Sequence, residues 1–172
     1  MVDHERTLAP SPFPGDDGSA SADTREALVR AAQQVAPAAY LRAIAALCTD
    51  RLLVPVVATA TRLGETTGGL ASDKEAEMAV VMLRTADGRQ AMLAFTGLDS
   101  LQAWQASARP VPITLDRLAA SALAEDATAV LVDFAGPAAL VIEGEVLASL
   151  AAGHRLVETD DGQFGWAIPA TE

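Results

Sequence analysis

Asparagine is absent from this chain, lysine occurs once, at Lys74, and cysteine once, at Cys48. A lone cysteine cannot close an internal disulfide, which fits a reducing compartment and leaves stability to the core. Clustered cations are missing too: 12 basic residues stand against 23 acidic ones, and nowhere do they form a basic stripe. The net charge of −11 therefore argues against nucleic acid or an anionic membrane as partner, because phosphates must be met by grouped Lys and Arg. No apolar run approaches the roughly 18–20 residues of a membrane span, and residues 1–22 lack a charged segment followed by an apolar one. A cytoplasmic protein is the default expectation. Histidine is limited to His4 and His154, without ligand or triad spacing, and Gly-x-Ser-x-Gly does not occur.

What the chain does have is apolar substance. With 172 residues and 51% hydrophobic content it can bury about two-thirds of its unfolded surface in one domain. Residues 1–22 mix proline, glycine, serine and acidic residues without apolar periodicity and read as a disordered leader, ahead of a domain over 23–153.

The organising stretch runs from Met78 to Pro112. Met78–Leu83 and Gln90–Phe95 are apolar runs of strand length joined through Asp87-Gly88, a turn signal, and Leu98, Leu101 and Trp104 then recur at helical spacing to about Ser107. Aromatics make up only 4% of the chain, so Phe95 and Trp104 weigh heavily as core anchors. In Arg109-Pro110-Val111-Pro112 neither proline can donate to a ladder, which predicts a short extended piece at a sheet edge.

Upstream, Asp23 or Thr24 is the expected cap of a helix lined by Leu28, Ala31, Ala32 and Val35, and Pro37 opens a second helix holding Tyr40, Leu41, Ile44, Ala45 and Cys48. On that apolar face Cys48 reads as a small buried hydrophobe. Leu52–Thr59 is a first strand in which Pro55 implies an edge or a bulge, and Thr61–Asp73 is a polar loop. Downstream, Thr114 caps a helix with Leu115, Leu118, Ala119, Ala122 and Leu123 as its buried stripe. Ala129–Phe134 and Ala139–Ile142 form a second hairpin, and Glu145–Ala152 is a short helix stopped by Gly153. Residues 154–172 form either a small hairpin around Asp160-Asp161-Gly162 or a flexible tail. The predicted fold is α/β (α+β): a single domain with a mixed, roughly five-stranded sheet, built from two β-hairpins plus one strand and flanked by helices.

The order of these segments resembles the SseB-like family, in its N-terminal domain. The resemblance is carried by Leu53–Val57, Asp73–Val81, Ala94–Trp104, Ala108–Pro112 and Asp133–Pro137, and it spans about residues 40–153. It implies an α/β domain without an established activity, under a label drawn from a serine-sensitivity trait and shared with a type III secretion component. The family usually has Ser where Gly97 stands, so a weaker helix start is expected here. No segment reads as translocated or membrane-inserting, and no secretion role follows.

Candidate chemistry is sparse. Asp73, Glu75 and Glu77 share one face if extended, as a Mg²⁺ or Ca²⁺ site would require, but a solvated acidic entry to the hairpin explains them as well. Gly64–Gly69 lacks the Gly-Lys-Ser/Thr ending of a phosphate loop. Phe164 and Trp166 read as local packing or as partner contacts. No catalytic, cofactor or metal residue is assigned. The expected function is a non-catalytic protein-interaction module with a protein partner met at an edge strand or the acidic face, with Asp73, Glu75, Glu77, Phe164 and Trp166 as candidate contacts. The alternative is a small-molecule- or metal-binding, even enzymatic, domain using residues 64–77, and homo-oligomerisation through exposed strands is compatible with either.

Overall fold

The computed structural model describes residues 13–59 and 77–170, within which the chain forms five helices and nine strands of one α+β domain. Helix α1 (Ala22–Gln33) starts at Ser21, whose Oγ accepts the Thr24 N–H at 3.4 Å. Asp23 and Thr24 therefore lie inside the first turn, and the Thr24 hydroxyl donates instead to Asp50 at 3.0 Å. The helix buries Thr24, Ala27 and Leu28 and stops before Val35, which is fully exposed. Pro37 explains the early stop: it disfavours helical geometry at the residue before it and sits in the first turn of α2 (Pro37–Thr49).

Strand β1 (Arg51–Thr59) pairs antiparallel with β2 (Glu77–Val80) on one side and, over Arg51–Val56, with β5 (Arg109–Thr114) on the other. The apolar run expected as a single strand from Met78 is divided at Val81: β2 joins β1, while β3 (Met82–Arg84) joins β4 (Gln90–Ala94). The turn between β3 and β4 has Gly88 at φ +87°, as Asp87-Gly88 predicts. After β4 come α3 (Leu98–Trp104), β5, α4 (Leu115–Ala124), β6 (Ala129–Val132), β7 (Leu140–Glu143) and α5 (Gly144–Ala151). A final hairpin, β8 (Arg155–Glu158) and β9 (Phe164–Ala167), settles the alternatives for the C-terminal segment over its described residues.

The layout differs from a single five-stranded sheet. Strands are ordered β2-β1-β5, β3-β4-β6-β7 and β8-β9, with β4 and β6 parallel. Local pairing rules find hairpins; the parallel pair needs the crossover through α3, β5 and α4, which no local signal encodes. The first two sheets are stitched where Leu53 and Phe95 exchange both backbone bonds, at 2.8 and 2.9 Å.

That exchange fixes which way each proline points. Leu53 turns its polar groups toward β4, so Pro55, two residues on, turns the same way, and its missing N–H falls where the neighbouring strand changes from β4 to β2. Pro110 and Pro112 sit opposite Pro55 and Leu53 in non-bonded register positions, so both aim their missing donors at the outer edge of β5. The predicted edge position of this strand is what the sheet order shows.

Alternation sorts the side chains into two cores. Leu52, Val54, Met92, Ala94, Val130 and Val132 face the main core under the helices, whereas Leu53, Leu93 and Phe95 face a smaller one with Leu101 and Ala108. In the second core Phe95 stacks on Trp104 at 5.5 Å between ring centroids, with Phe134 6.4 Å away. Burial on both faces is why these strands read as continuous apolar runs. In α4, Leu115, Leu118, Ala119 and Ala122 are buried as predicted, but Leu123 is 42% exposed, because the buried face of a helix this short is one narrow stripe.

Candidate functional site

Two surfaces stand out once the backbone is traced. The first is the outer edge formed by β2 and β3. Val81 donates its N–H inward to Pro55 O at 3.4 Å and accepts from Leu93 N–H at 3.5 Å. Backbone direction alternates along a strand, so Met78, Val80, Met82 and Arg84 turn their N–H and C=O groups toward the open side. One stretch of chain, Glu77–Arg84, is thus the edge of two sheets at once. Among the described residues no strand pairs with its outer side, and two apolar side chains on it stay in water: Val80 at 43% and Leu83 at 38% exposure. The β5 edge, by contrast, is blunted by its prolines, and part of the β7 edge is covered where the Tyr40 hydroxyl donates to Val141 O at 3.1 Å.

The second surface lies beyond the carboxyl ends of the parallel strands β4 and β6, where sheets of this kind present groups to ligands. Thr96 follows β4 and Asp133 follows β6. The Asp133 carboxylate, 6% exposed, accepts the Thr96 N–H at 3.0 Å and the Thr96 hydroxyl at 2.6 Å. Ser100 Oγ in α3 lies 2.7 Å from the same carboxylate and 3.0 Å from Gly97 O, sharing one proton between them. Arg25 from α1 donates Nε to Thr96 Oγ1 at 3.2 Å and grips both Asp99 oxygens, at 2.5 and 2.6 Å. The Arg25 hydrogen bonds hold the Asp99 carboxyl below its usual range, against some desolvation. Above this network opens a cleft of about 280 Å³, walled by Leu28, Val29, Ala103, Ala135 and Pro137.

Beneath α3 a second polar cluster is structural. Arg51, 7% exposed, donates to both Asp16 carboxylate oxygens, to Ser19 O at 2.7 Å and to Thr96 O at 2.5 Å. Residues 1–12 lie outside the described residues, but residues 13–21 form a strap over the start of α3, a correction to the leader expected for 1–22. The strap is held because a buried guanidinium must be paired.

Of the residues singled out from the sequence, Asp73 and Glu75 lie outside the described residues, as does the Gly64–Gly69 loop. Glu77 begins β2 on the open edge. Phe164 and Trp166 are half-buried on β9 against the main core, with the Arg42 guanidinium 5.7 Å from the Phe164 ring centre and the His154 ring 6.4 Å from Trp166. Cys48 is half-buried, and burial raises its thiol pKa, away from a reactive thiolate. Sequence reasoning missed Arg25, Thr96, Ser100 and Asp133. A lone acid directly after the apolar run Ala129–Val132 was the one signal available, since a carboxylate there has to find partners at the sheet's end.

An α+β domain with an open β2–β3 edge and a strand-end cleft is the class that this geometry defines. The chain belongs to the SseB family: the model of the SseB protein N-terminal domain matches residues 24–149. No curated protein and no solved structure matches the chain. Among the described residues, no helix is long and apolar enough to cross a membrane.

Proposed function

We propose that this domain is a non-catalytic protein-interaction module that takes up an extended segment of a partner protein along the β2–β3 edge. The observation that supports the reading is the run Met78, Val80, Met82 and Arg84, whose outward backbone groups supply the donors and acceptors of strand addition. Val80 and Leu83, on opposite faces of the strand, provide apolar contact for guest side chains on either face. The net charge of −11, with Asp73, Glu75 and Glu77 leading into the edge, selects a basic segment. The buried polar groups of the Thr96–Ser100–Asp133 cluster bond one another, and no histidine is among them.

Val80→Pro is the sharpest test, since its N–H is turned outward and its loss leaves the β1–β2 ladder intact. Screened against a library of basic ten-residue peptides, the wild type should retain extended binders that Val80→Pro and Leu83→Lys both release, with unchanged thermal melting. Raising salt from 0.05 to 0.5 M should weaken capture steeply. A wild type that retains no peptide, or a peptide held equally by both variants, rules out the edge as the binding surface.

A further inference from the structure

The cleft beyond β4 and β6 is separate from the edge and carries its own chemistry. Its walls are aliphatic, from Leu28, Val29, Ala103, Ala135 and Pro137, while its polar groups are Arg25, Asp99, Ser100 and Asp133. Two carboxylates thus face one guanidinium, and the guanidinium is committed: its terminal nitrogens hold Asp99 and its Nε holds Thr96. Among the described residues, the hydrogen bonds to Asp133 come from neutral donors: Thr96 N–H, the Thr96 hydroxyl and the shared Ser100 hydroxyl. Three of the roughly four acceptor positions of a carboxylate are filled, leaving one on Oδ2. The residue is also held at φ +47°, a left-handed conformation that glycine would adopt at less cost. Arg25 also feels the Asp133 charge, but one guanidinium shared between two carboxylates leaves the cleft net negative, and a net negative site under apolar walls favours a cation with an apolar body, because each part of such a ligand leaves water for a matching surface.

We propose that the cleft binds a small organic ammonium compound, with its charged nitrogen toward Asp133 and its hydrocarbon body against Leu28, Val29 and Ala103. At about 280 Å³ the cleft is at the small end of ligand pockets and suits a ligand of fragment size. The inference does not rest on the edge-strand reading and uses none of its residues.

The test is titration of the full chain with benzylamine, benzyl alcohol and benzoate, three probes of one shape and different charge, followed by calorimetry and by the methyl NMR signals of Leu28 and Val29. Benzylamine should bind at least tenfold more tightly than benzyl alcohol, benzoate should not bind, and the Leu28 and Val29 methyls should shift. Asp133→Asn should reduce the amine-to-alcohol ratio to near one, and Ala103→Leu, which fills the cleft, should abolish binding of both. If Asp133→Asn does not fold, the charge series on the wild type and its loss in Ala103→Leu decide the matter. Equal binding of all three probes, no binding of any, or an amine preference that survives Asp133→Asn overturns the proposal.

Discussion

Arg51 and Asp16 stand 35 residues apart in the chain, yet the guanidinium holds both carboxylate oxygens, Nε to Oδ2 at 2.7 Å and Nη2 to Oδ1 at 2.9 Å. The pair joins the strap over residues 13–21 to the first residue of β1, beneath the start of α3. The Arg51 hydrogen bonds depress the Asp16 pKa, outweighing the desolvation that opposes them. A carboxyl with a lowered folded-state pKa adds stability that is present above its unfolded value near 3.8 and is lost as pH falls through the lower folded value. Asp16→Asn should therefore cost about 2–3 kcal/mol at pH 7, measured by urea unfolding. The difference from wild type should be flat from pH 5 to 8 and shrink below about pH 4. A difference that instead grows in acid would contradict the assignment.

Asp133 combines a buried carboxylate with a left-handed backbone, and two substitutions separate those roles. Asparagine tolerates the φ of +47° and keeps one acceptor, so Asp133→Asn should lose about 1 kcal/mol. Asp133→Ala strands the Thr96 N–H and the Thr96 hydroxyl, while the Ser100 hydroxyl keeps Gly97 O, and should lose about 2–3 kcal/mol. Thermal melting of the two variants checks the order; an Asn variant as damaged as the Ala variant would show that the charge itself is essential.

Gly97 caps α3 without a side-chain bond, and by capping preference alone Gly97→Ser should gain a few tenths of a kcal/mol. A Cβ at this position, however, would lie 2.6 Å from Asp99 Oδ1 and 3.0 Å from Ala20 N. The strap occupies the room a serine needs, and Asp99 is tied to Arg25. Gly97→Ser is accordingly expected to destabilise by about 1 kcal/mol, read as a lowered urea midpoint. A raised midpoint would mean that the strap yields.

Phe95 is fully buried at the join of the two sheets, stacked on Trp104 and close to Phe134. Its truncation to Ala should cost roughly 3–5 kcal/mol. Leu98→Ala, at the rim of the same cluster, should cost less, and tryptophan fluorescence during unfolding gives both values.

Periodicity made most elements legible, because apolar spacing and turn chemistry are local. The two tight turns show this well: in Thr85–Arg89 and in Thr159–Gln163 the Thr N–H bonds the last carbonyl at 2.9 and 2.8 Å, and a Gly takes the positive φ. Their shared Thr-x-Asp-Gly pattern, in which each Thr hydroxyl also bonds the Asp, makes the C-terminal segment a hairpin rather than a tail. Ser21 caps α1, although Asp23 and Thr24, two and three residues later, carry the same capping chemistry. The cleft left almost no local trace, since Arg25, Thr96, Ser100 and Asp133 come from four separate segments.

The sequence by itself determined the α+β class, the family, the turns, the edge character of the proline-bracketed strand and the acidic balance, all of which follow from composition and near-neighbour geometry. Tertiary structure alone decided that β4 and β6 run parallel, that one strand run serves as the edge of two sheets, and that Asp16 crosses to Arg51. These are pairings between distant segments, chosen by which buried charges and strand edges can be satisfied together, and no window along the chain contains both partners.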